Sequence, residues 1–276
     1  MESRKHQERE LHNLQRTVND DVHVADTRWS LALEPTIQNN PLWANMKYYA
    51  IERKSREVVL EWFKTYCPGS QVLDYCCGNG DDSFFIAAHG AVKVVGIDIS
   101  EVSVQNCNNK AAQEGLGNLS FQVMDAENLS FADDTFDVVS EYGALHHLDL
   151  TKAYGEIARV LRPSGRALCV EALGHNHIIH LYRKLTPHLR TPWEVEHILR
   201  RKDVDLAREY FHQVNILGFF HLATLAAVPF RKTPIFEKIL GTLEAVDAML
   251  LRLPFLQWQA WHIIFELAKP KKQMKR

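Results

Sequence analysis

An acid, two adjacent cysteines and two glycines stand together in the stretch VLDYCCGNGDD, residues 72–82. Cysteines that carry redox chemistry or bind zinc usually have two residues between them, and a zinc site needs further ligands. Cys76 and Cys77 are adjacent, and no second cysteine pair accompanies them. We therefore expect small buried side chains at these two positions and no metal site.

The glycine turn predicts a ligand site. Gly78 and Gly80 follow an apolar run that ends at Asp74, and glycine is needed where backbone approaches a ligand without a Cβ in the way. A dinucleotide is one candidate, since a glycine turn and a helix N-terminus commonly bind phosphate. Its fingerprint requires a third glycine where Ser83 stands, and Asp74 would repel an anion. The turn therefore favours a ligand with positive charge near Asp74.

Two further acids follow the next predicted strands. Asp98 ends the run VVGID, eighteen residues after Gly80, where a carboxylate can accept hydrogen bonds from ribose hydroxyls. Asp125, in MDAENLSF, can accept a hydrogen bond from an adenine amino group. A ribose, an adenine and a cation together indicate S-adenosylmethionine as the ligand.

These acids need an alternation of strands and helices to bring them together. The predicted strands are QVLDYC, KVVGIDIS, LSFQVMDA, FDVVSEYG and RALCVEAL, and the helices between them are DDSFFIAAHG, SEVSVQNCNNKAAQEG and TKAYGEIARVLRPSG. This rhythm predicts an α/β, Rossmann-like fold, a mostly parallel sheet with helices on both faces. Right-handed crossovers then place the strand ends, and with them the acids, along one edge of the sheet.

Five segments come in one order over residues 70–171, namely VLDYCCGNG, VVGIDIS, MDAENLSFADDTFDVV, ALHHL and EIARVLRPSGRAL. In order and spacing they resemble the class I S-adenosylmethionine-dependent methyltransferases, in particular the branch of ubiquinone/menaquinone and sterol methyltransferases. The resemblance implies a seven-stranded sheet whose last strand is antiparallel, and WHIIFELAKP fits that role. One position departs from the pattern, because the family usually has glycine where Cys76 stands.

The resemblance also implies a cofactor site in the loops after the strands. Asp74 and the two glycines would hold the methionine part, Asp98 the ribose, and Asp125 with Ala126 the adenine. Along these loops the residues expected to contact the cofactor are Asp74, Tyr75, Cys76, Gly78, Gly80, Asp98, Ile99, Asp125 and Ala126. Glu141 and Tyr142, at the end of the fourth strand, are expected beside the methionine part, and Tyr49 is expected to close over the cofactor.

The candidate catalytic residues follow the fourth and fifth strands. Glu141 and one of His146 and His147 lie in SEYGALHHL and are candidates to face the acceptor. The alternative for either histidine is packing against the following helix. His175, in EALGHNHIIH, is a candidate base, with a place on the surface or a lid as its alternative. No carboxylate cluster accompanies this second group, so we expect no metal there.

Four regions are predicted along the chain. Residues 1–45 form an N-terminal arm with Trp29 and Trp43 as apolar anchors, and residues 46–172 form the cofactor-binding core, opened by a helix over 46–67. Residues 173–256 form substrate-binding or lid insertions with one core strand, and 257–276 hold the last core strand and a basic tail. An apolar stripe over 235–250 indicates either core packing or an acceptor pocket. A pocket there would make the acceptor largely apolar, such as an isoprenoid, polyketide, alkaloid or lipid-linked natural product.

Composition excludes some partners. Apolar residues make up 46% and charged residues 24%, and the net charge is −2, which gives no electrostatic case for nucleic acid. Residues 214–230 are too short and too interrupted to span a membrane. Five cysteines without a paired framework favour a reducing, cytoplasmic setting. The basic residues at the C-terminal end are compatible with a peripheral membrane contact, and the sequence is compatible with a homo-oligomer.

The sequence therefore predicts an S-adenosylmethionine-dependent methyltransferase for a small-molecule acceptor, in natural product or lipid metabolism. Two alternatives come from other classes. One is a catalytically silent S-adenosylmethionine-binding partner or sensor, which a turnover assay would separate from an enzyme. The other is a nicotinamide-dependent oxidoreductase, which the missing third glycine and Asp74 disfavour.

Overall fold

The computed structural model describes residues 2–17 and 41–272. Seven strands form one sheet in the order β3-β2-β1-β4-β5-β7-β6. Strands β1 to β5 pair in parallel, and β7 runs antiparallel to both β5 and β6. The strands are β1 (Gln71–Tyr75), β2 (Lys93–Asp98), β3 (Leu119–Val123), β4 (Phe136–Tyr142), β5 (Leu161–Ala172), β6 (Phe211–Phe220) and β7 (His262–Pro270). This confirms the α/β, Rossmann-like sheet with an antiparallel last strand.

The described α-helices precede the sheet, alternate with its strands and fill the region after β5. They are α1 (Glu2–Thr17), α2 (Arg53–Tyr66), α3 (Asp81–Ala88), α4 (Glu101–Gln113), α5 (Leu150–Val160), α6 (His177–Leu185), α7 (Pro192–Glu196), α8 (Arg201–Leu206), α9 (Phe236–Leu250) and α10 (Pro254–Gln257). The Ser100 side chain caps α4, because it accepts a hydrogen bond from the Ser103 amide, 3.1 Å away.

Two element boundaries differ from the prediction. The helix predicted over 46–67 is divided, since residues Pro41–Ile51 form a 3-10 helix and α2 starts at Arg53. The helix predicted over 151–165 ends at Val160, and β5 begins at Leu161. Pro163 explains the second difference, because a proline ring clashes with the preceding helical turn while an extended strand accommodates it.

The central strands are buried on both faces, which explains their continuous apolar runs. Successive strand residues point to opposite sides of a sheet. Along β1, Val72 packs in a cluster with Phe63 of α2, whereas Leu73 packs in a second cluster with Tyr154 of α5. The two clusters fix the sheet between its helices and hold the strand ends in register.

The segments outside the sheet have three placements. Helix α1 packs on α4 and lies beside the strand ends. The apolar stripe over 235–250 is in part core, because Phe236 and Leu240 of α9 pack against Ala50 and Ile51 of the 3-10 helix. Trp29 and residues 273–276 of the basic tail lie outside the described residues.

The apolar segment 214–230 is divided between β6 and a 3-10 helix (Thr224–Phe230). Within 2–17 and 41–272, no helix has the length and apolar character that a membrane crossing needs.

Candidate functional site

A cavity of about 320 Å³ lies at the carboxyl ends of the parallel strands, within the size range of ligand pockets. We call its two walls the floor and the cover. The floor residues follow the strands and are Asp74, Cys76, Cys77, Gly78, Asn79, Asp81, Asp82, Asp98, Ile99, Met124, Asp125, Ala126, Tyr142, Gly143, Ala144, His147 and Leu148. The cover residues precede the sheet and are Arg4, Lys5, Glu8, His12, Arg16, Trp43, Met46, Tyr49, Glu52 and Arg56.

Asp74 ends β1 in a buried position that α3 supports. Its Oδ2 accepts hydrogen bonds from the Ser83 amide at 3.1 Å and the Ser83 hydroxyl at 2.5 Å. Burial and the nearby Asp82 carboxylate raise the pKa of Asp74 to about 8. A cation beside Asp74 would stabilise its ionised form, so the structure keeps the preference for positive charge that the sequence indicated.

The turn after β1 has left-handed backbone at three positions. Cys76 has φ 61°, Gly78 has φ 54° and Gly80 has φ 76°. Gly78 lines the cavity, whereas Gly80 lies behind it, where a Cβ would come within 3.0 Å of Phe84 and Phe121. Gly80 therefore shapes the turn from behind, and the cofactor contact predicted for it stays a prediction. Cys76 accepts the strained conformation that glycine would adopt freely.

Asp98 is oriented by main-chain donors. Its Oδ2 accepts from the Gly78 amide and its Oδ1 from the Ser100 amide, each at 2.9 Å. A carboxylate offers about four acceptor sites, so each oxygen keeps one for a further donor. Because Asp98 lines the cavity, those remaining sites suit the paired hydroxyls of a ribose.

Asp125 lies at the end of β3 and joins the floor to the cover. Its Oδ1 accepts from the Glu127 amide at 2.9 Å, and its Oδ2 is 2.5 Å from Lys5 Nζ of α1. Ile99 and Ala126 line the same part of the cavity. The structure therefore places a carboxylate and two apolar side chains on the cavity wall, and their contact with an adenine ring stays a prediction.

The comparisons with known proteins agree with this geometry. Residues 72–165 match the model of a methyltransferase domain. The chain is 34% identical over 127 residues to a ubiquinone/menaquinone biosynthesis C-methyltransferase of Geotalea daltonii, covering 45% of this chain and 54% of that protein. It is 39% identical over 100 residues to a 27-O-demethylrifamycin SV methyltransferase of Amycolatopsis mediterranei, covering 36% and 37%.

Residues 72–165 form a class I S-adenosylmethionine-dependent methyltransferase domain. Two solved structures share its fold. A geranyl diphosphate methyltransferase aligns with a TM-score of 0.55 at 15% identity, over 86% of this chain and 95% of that one. The [4+2]-cyclase SpnF aligns with a TM-score of 0.54 at 19% identity, over 80% and 84%. The chain spans about half or less of the curated relatives named above.

Two further residues predicted to contact the cofactor of the methyltransferase domain do not line the cavity. Tyr75 points into the core, and its hydroxyl donates to the Ala126 carbonyl at 2.6 Å. Glu141 lies beneath the floor, where it accepts from the Ala144 amide at 2.6 Å and the Leu145 amide at 3.2 Å. Burial and the neighbouring Glu171 raise the pKa of Glu141 well above its usual value. Neither side chain lines the cavity, and the cofactor contact predicted for both, with the catalytic role predicted for Glu141, stays a prediction.

The three candidate histidines separate in the structure. His147 lines the cavity, and its Nδ1 is 3.0 Å from Glu8 Oε2 of α1. His146 points below the floor, where its Nδ1 is 2.8 Å from Glu171 Oε2. His175 lies outside the cavity, and its Nε2 accepts from the Arg201 amide at 3.1 Å. His147 is therefore the histidine of these three that lines the cavity, and the catalytic roles named for the three stay predictions.

Tyr142 and Tyr49 line the cavity wall, and their contact with the cofactor stays a prediction. The Tyr142 hydroxyl donates to Glu52 Oε2 at 2.6 Å and so ties the floor to the cover. Burial raises the pKa of Glu52 to about 7, against the lowering effects of this hydrogen bond and of Arg56.

The sequence prediction missed the charged residues of the cover. Arg56, whose Nη1 is 2.5 Å from Asp82 Oδ1, offers further donors for a ligand carboxylate. Arg4, Lys5, Glu8, His12 and Arg16 of α1 also line the cavity. Each residue of this set lies three or four residues along the chain from another member, a spacing that puts them on one face of a helix. The sequence contained this signal, but the spacing does not show which surface the helix face covers.

Proposed function

We propose that this chain is a methyltransferase that transfers a methyl group from S-adenosylmethionine to a small, largely apolar acceptor. The observation that supports it best is the convergence of Asp74, Asp98 and Asp125 on one cavity, each oriented by neighbouring donors. These carboxylates suit an ammonium group, a pair of ribose hydroxyls and an adenine amino group, respectively. The three carboxylates fit S-adenosylmethionine in charge, and their order along the chain matches the order of the ammonium, ribose and adenine groups in that cofactor.

The proposed roles of the chain follow from its contacts. S-adenosylmethionine supplies an electrophilic methyl group on a sulfonium: an acceptor atom bonds to this methyl carbon in line with the breaking carbon–sulfur bond, and S-adenosylhomocysteine leaves. Asp74 holds the ammonium end and Arg56 the carboxylate end, while Asp98 fixes the ribose. Helix α1 excludes water from the cavity, which strengthens each of these interactions. The work of the chain is then mainly to align two reactants, a contribution that can reach about 7–11 kcal/mol.

The acceptor is proposed to enter beside His147. Trp43, Met46, Met124 and Leu148 add apolar surface to the cavity, which favours a largely apolar molecule. The relatives named for menaquinone, rifamycin and geranyl diphosphate chemistry point to acceptors of the same general character. We assign His147 to contact with the acceptor because it is the one predicted catalytic residue that reaches the cavity.

A panel of acceptors tests the proposal. Demethylmenaquinone, 27-O-demethylrifamycin SV and geranyl diphosphate would each be incubated with the chain and S-adenosylmethionine, with S-adenosylhomocysteine measured by mass spectrometry. We expect product with at least one apolar acceptor, and a loss of product in His147→Gln with cofactor affinity retained. His175→Gln is the matched control, since this histidine lies outside the cavity.

The silent cofactor-binding protein is the second candidate. A [4+2]-cyclase shares this fold, so the fold is compatible with a function other than methyl transfer. Cofactor binding without S-adenosylhomocysteine formation, across the panel and with a metabolite extract, would favour the second candidate over the first.

A further inference from the structure

Three potential metal ligands meet at the cover side of the cavity. Glu8 and His12 stand one helical turn apart on α1, and His147 faces them from the loop after β4. Glu8 Oε2 is 3.0 Å from His147 Nδ1 and 3.6 Å from His12 Nε2, and all three ligand atoms lie within 4.8 Å of one another. From these contacts we infer that Glu8, His12 and His147 bind a divalent transition-metal ion such as Zn²⁺.

The distances suit an ion without large movements. Zinc binds imidazole nitrogen and carboxylate oxygen at about 2.0–2.2 Å, so ligands at tetrahedral angles stand about 3.4 Å apart. The two measured separations bracket that value. Two histidines and one carboxylate are also a ligand set of catalytic metal sites, in which a further position stays open for water or substrate.

The surroundings fix the ligands and favour positive charge. Glu8 is 5% exposed, and its second oxygen accepts a hydrogen bond from the Thr191 hydroxyl. An outer partner of this kind holds a carboxylate ligand in place. Glu194 and Glu171 add negative potential at the His147 ring. Since all three ligands line the cavity, the open position of the ion would face the space proposed for the acceptor.

One contact opposes the ion in the structure as it stands. Arg16 Nη1 is 3.0 Å from His12 Nδ1 and donates to it, which leaves the His12 proton on Nε2. A neutral histidine that binds metal through Nε2 carries its proton on Nδ1 instead. The ion and the Arg16 hydrogen bond therefore exclude each other, and Arg16→Met is expected to raise the metal affinity.

The role of the ion rests on the proposed function, whereas its binding does not. An ion at this position would bind an acceptor oxygen and favour its deprotonated form, with the proton released to solvent. The same ion would fasten α1 across the cavity, because it joins two residues of α1 to the loop after β4.

Metal titration of the full chain tests the site without any methyl transfer. After treatment with a chelator, Zn²⁺ binding would be followed by calorimetry and Co²⁺ binding by visible absorption. We expect one ion per chain. Glu8→Gln, His12→Gln and His147→Gln should each weaken binding by at least the roughly 10- to 100-fold that loss of an outer partner costs. His175→Gln and Arg9→Met are the controls, since both residues lie outside the cluster.

The outcomes separate the possibilities. Equal binding by the three variants would assign the ion to other histidines among the 14 of the chain and overturn the site. Absence of stoichiometric binding by both the native chain and Arg16→Met would show that the cluster only fastens α1 by hydrogen bonds. Thermal unfolding of each variant confirms that it is folded. Zinc binding without S-adenosylhomocysteine formation would retain the site and remove its proposed role, so the two proposals fail independently.

Discussion

The floor and the cover of the cavity are stabilised by different kinds of contact. In the floor, Asp98 is bonded to amides 2 and 20 residues away, and Asp74 to a residue 9 away. In the cover, Arg4 and Lys5 are bonded to acids 123 and 120 residues away, and Glu8 to a histidine 139 residues away. The floor is therefore preorganised by its own strands, whereas the cover depends on long-range charge pairs. We expect the cover to open while the floor stays formed.

The largest effect is expected from the floor. Asp98→Ala removes two hydrogen bonds to a charged acceptor, which should cost about 2–4 kcal/mol, or roughly thirtyfold to nearly a thousandfold in affinity for S-adenosylmethionine. Calorimetric titration measures the change. Glu114→Ala, which removes an exposed acid outside the cavity, is the control. Unchanged affinity in Asp98→Ala would mean that the floor does not bind the ribose.

The next effect concerns the cover. Glu127 forms ion pairs with Arg4 and Lys5. Glu127→Gln should therefore lower the free energy needed to detach α1 from the rest of the chain by about 1.5–3 kcal/mol, the range for hydrogen bonds to charged groups. Trypsin cleavage within α1 should then be at least about tenfold faster, because about 1.4 kcal/mol corresponds to a factor of ten. Glu57→Gln, at an exposed pair with Lys54, should leave cleavage unchanged. Equal rates of trypsin cleavage in both variants would contradict the view that ion pairs hold the cover in place.

A smaller effect is expected from pH, and it sharpens the chemistry of the floor. The pKa of Asp74 is about 8 in the free protein, so this group is mainly a neutral acid at pH 7. A cation binds its ionised form, and binding must therefore release a proton below pH 8. Affinity should rise by about tenfold per pH unit as the pH approaches 8 and level off above it.

Calorimetry in two buffers with different heats of protonation measures that proton release directly. Asp74→Asn is the control, because it keeps the shape of the side chain and removes the titration. Proton release that persists in Asp74→Asn would assign the effect to another group, with Glu52 the first to examine, since its pKa is about 7.

The smallest effect is expected outside both walls. His175 accepts a hydrogen bond from the Arg201 amide and lies away from the cavity. His175→Gln should leave cofactor affinity and turnover within about twofold of the native values, as for substitutions away from a site. Steady-state kinetics would measure both. A tenfold loss of turnover would restore the catalytic role that the sequence pattern indicated for this histidine.

The sequence predicted most of the floor because local patterns fix strand ends. Asp74 and Asp98 lie near the ends of the buried strands β1 and β2, Asp125 follows the partly exposed strand β3, and parallel strands end at one edge of the sheet. Side-chain direction separates the predicted residues that line the cavity from those that do not. Tyr75 and Glu141 stand next to cavity residues along their strands, and successive strand residues point to opposite faces. Adjacent His146 and His147, in the 3-10 helix after β4, also point apart, one below the floor and one into the cavity.

The cover was decided by tertiary structure alone. The sequence by itself determined the sheet, the glycine turn and the three acids, because hydrophobic periodicity and strand–helix alternation act over short separations. The sequence places charged and polar side chains on one face of a helix, at Arg4, Lys5, Glu8 and His12. Such a face can contact any acidic surface or the solvent. The partners of Arg4, Lys5 and Glu8 lie more than 100 residues away, and only the folded chain selects one surface among many of similar charge.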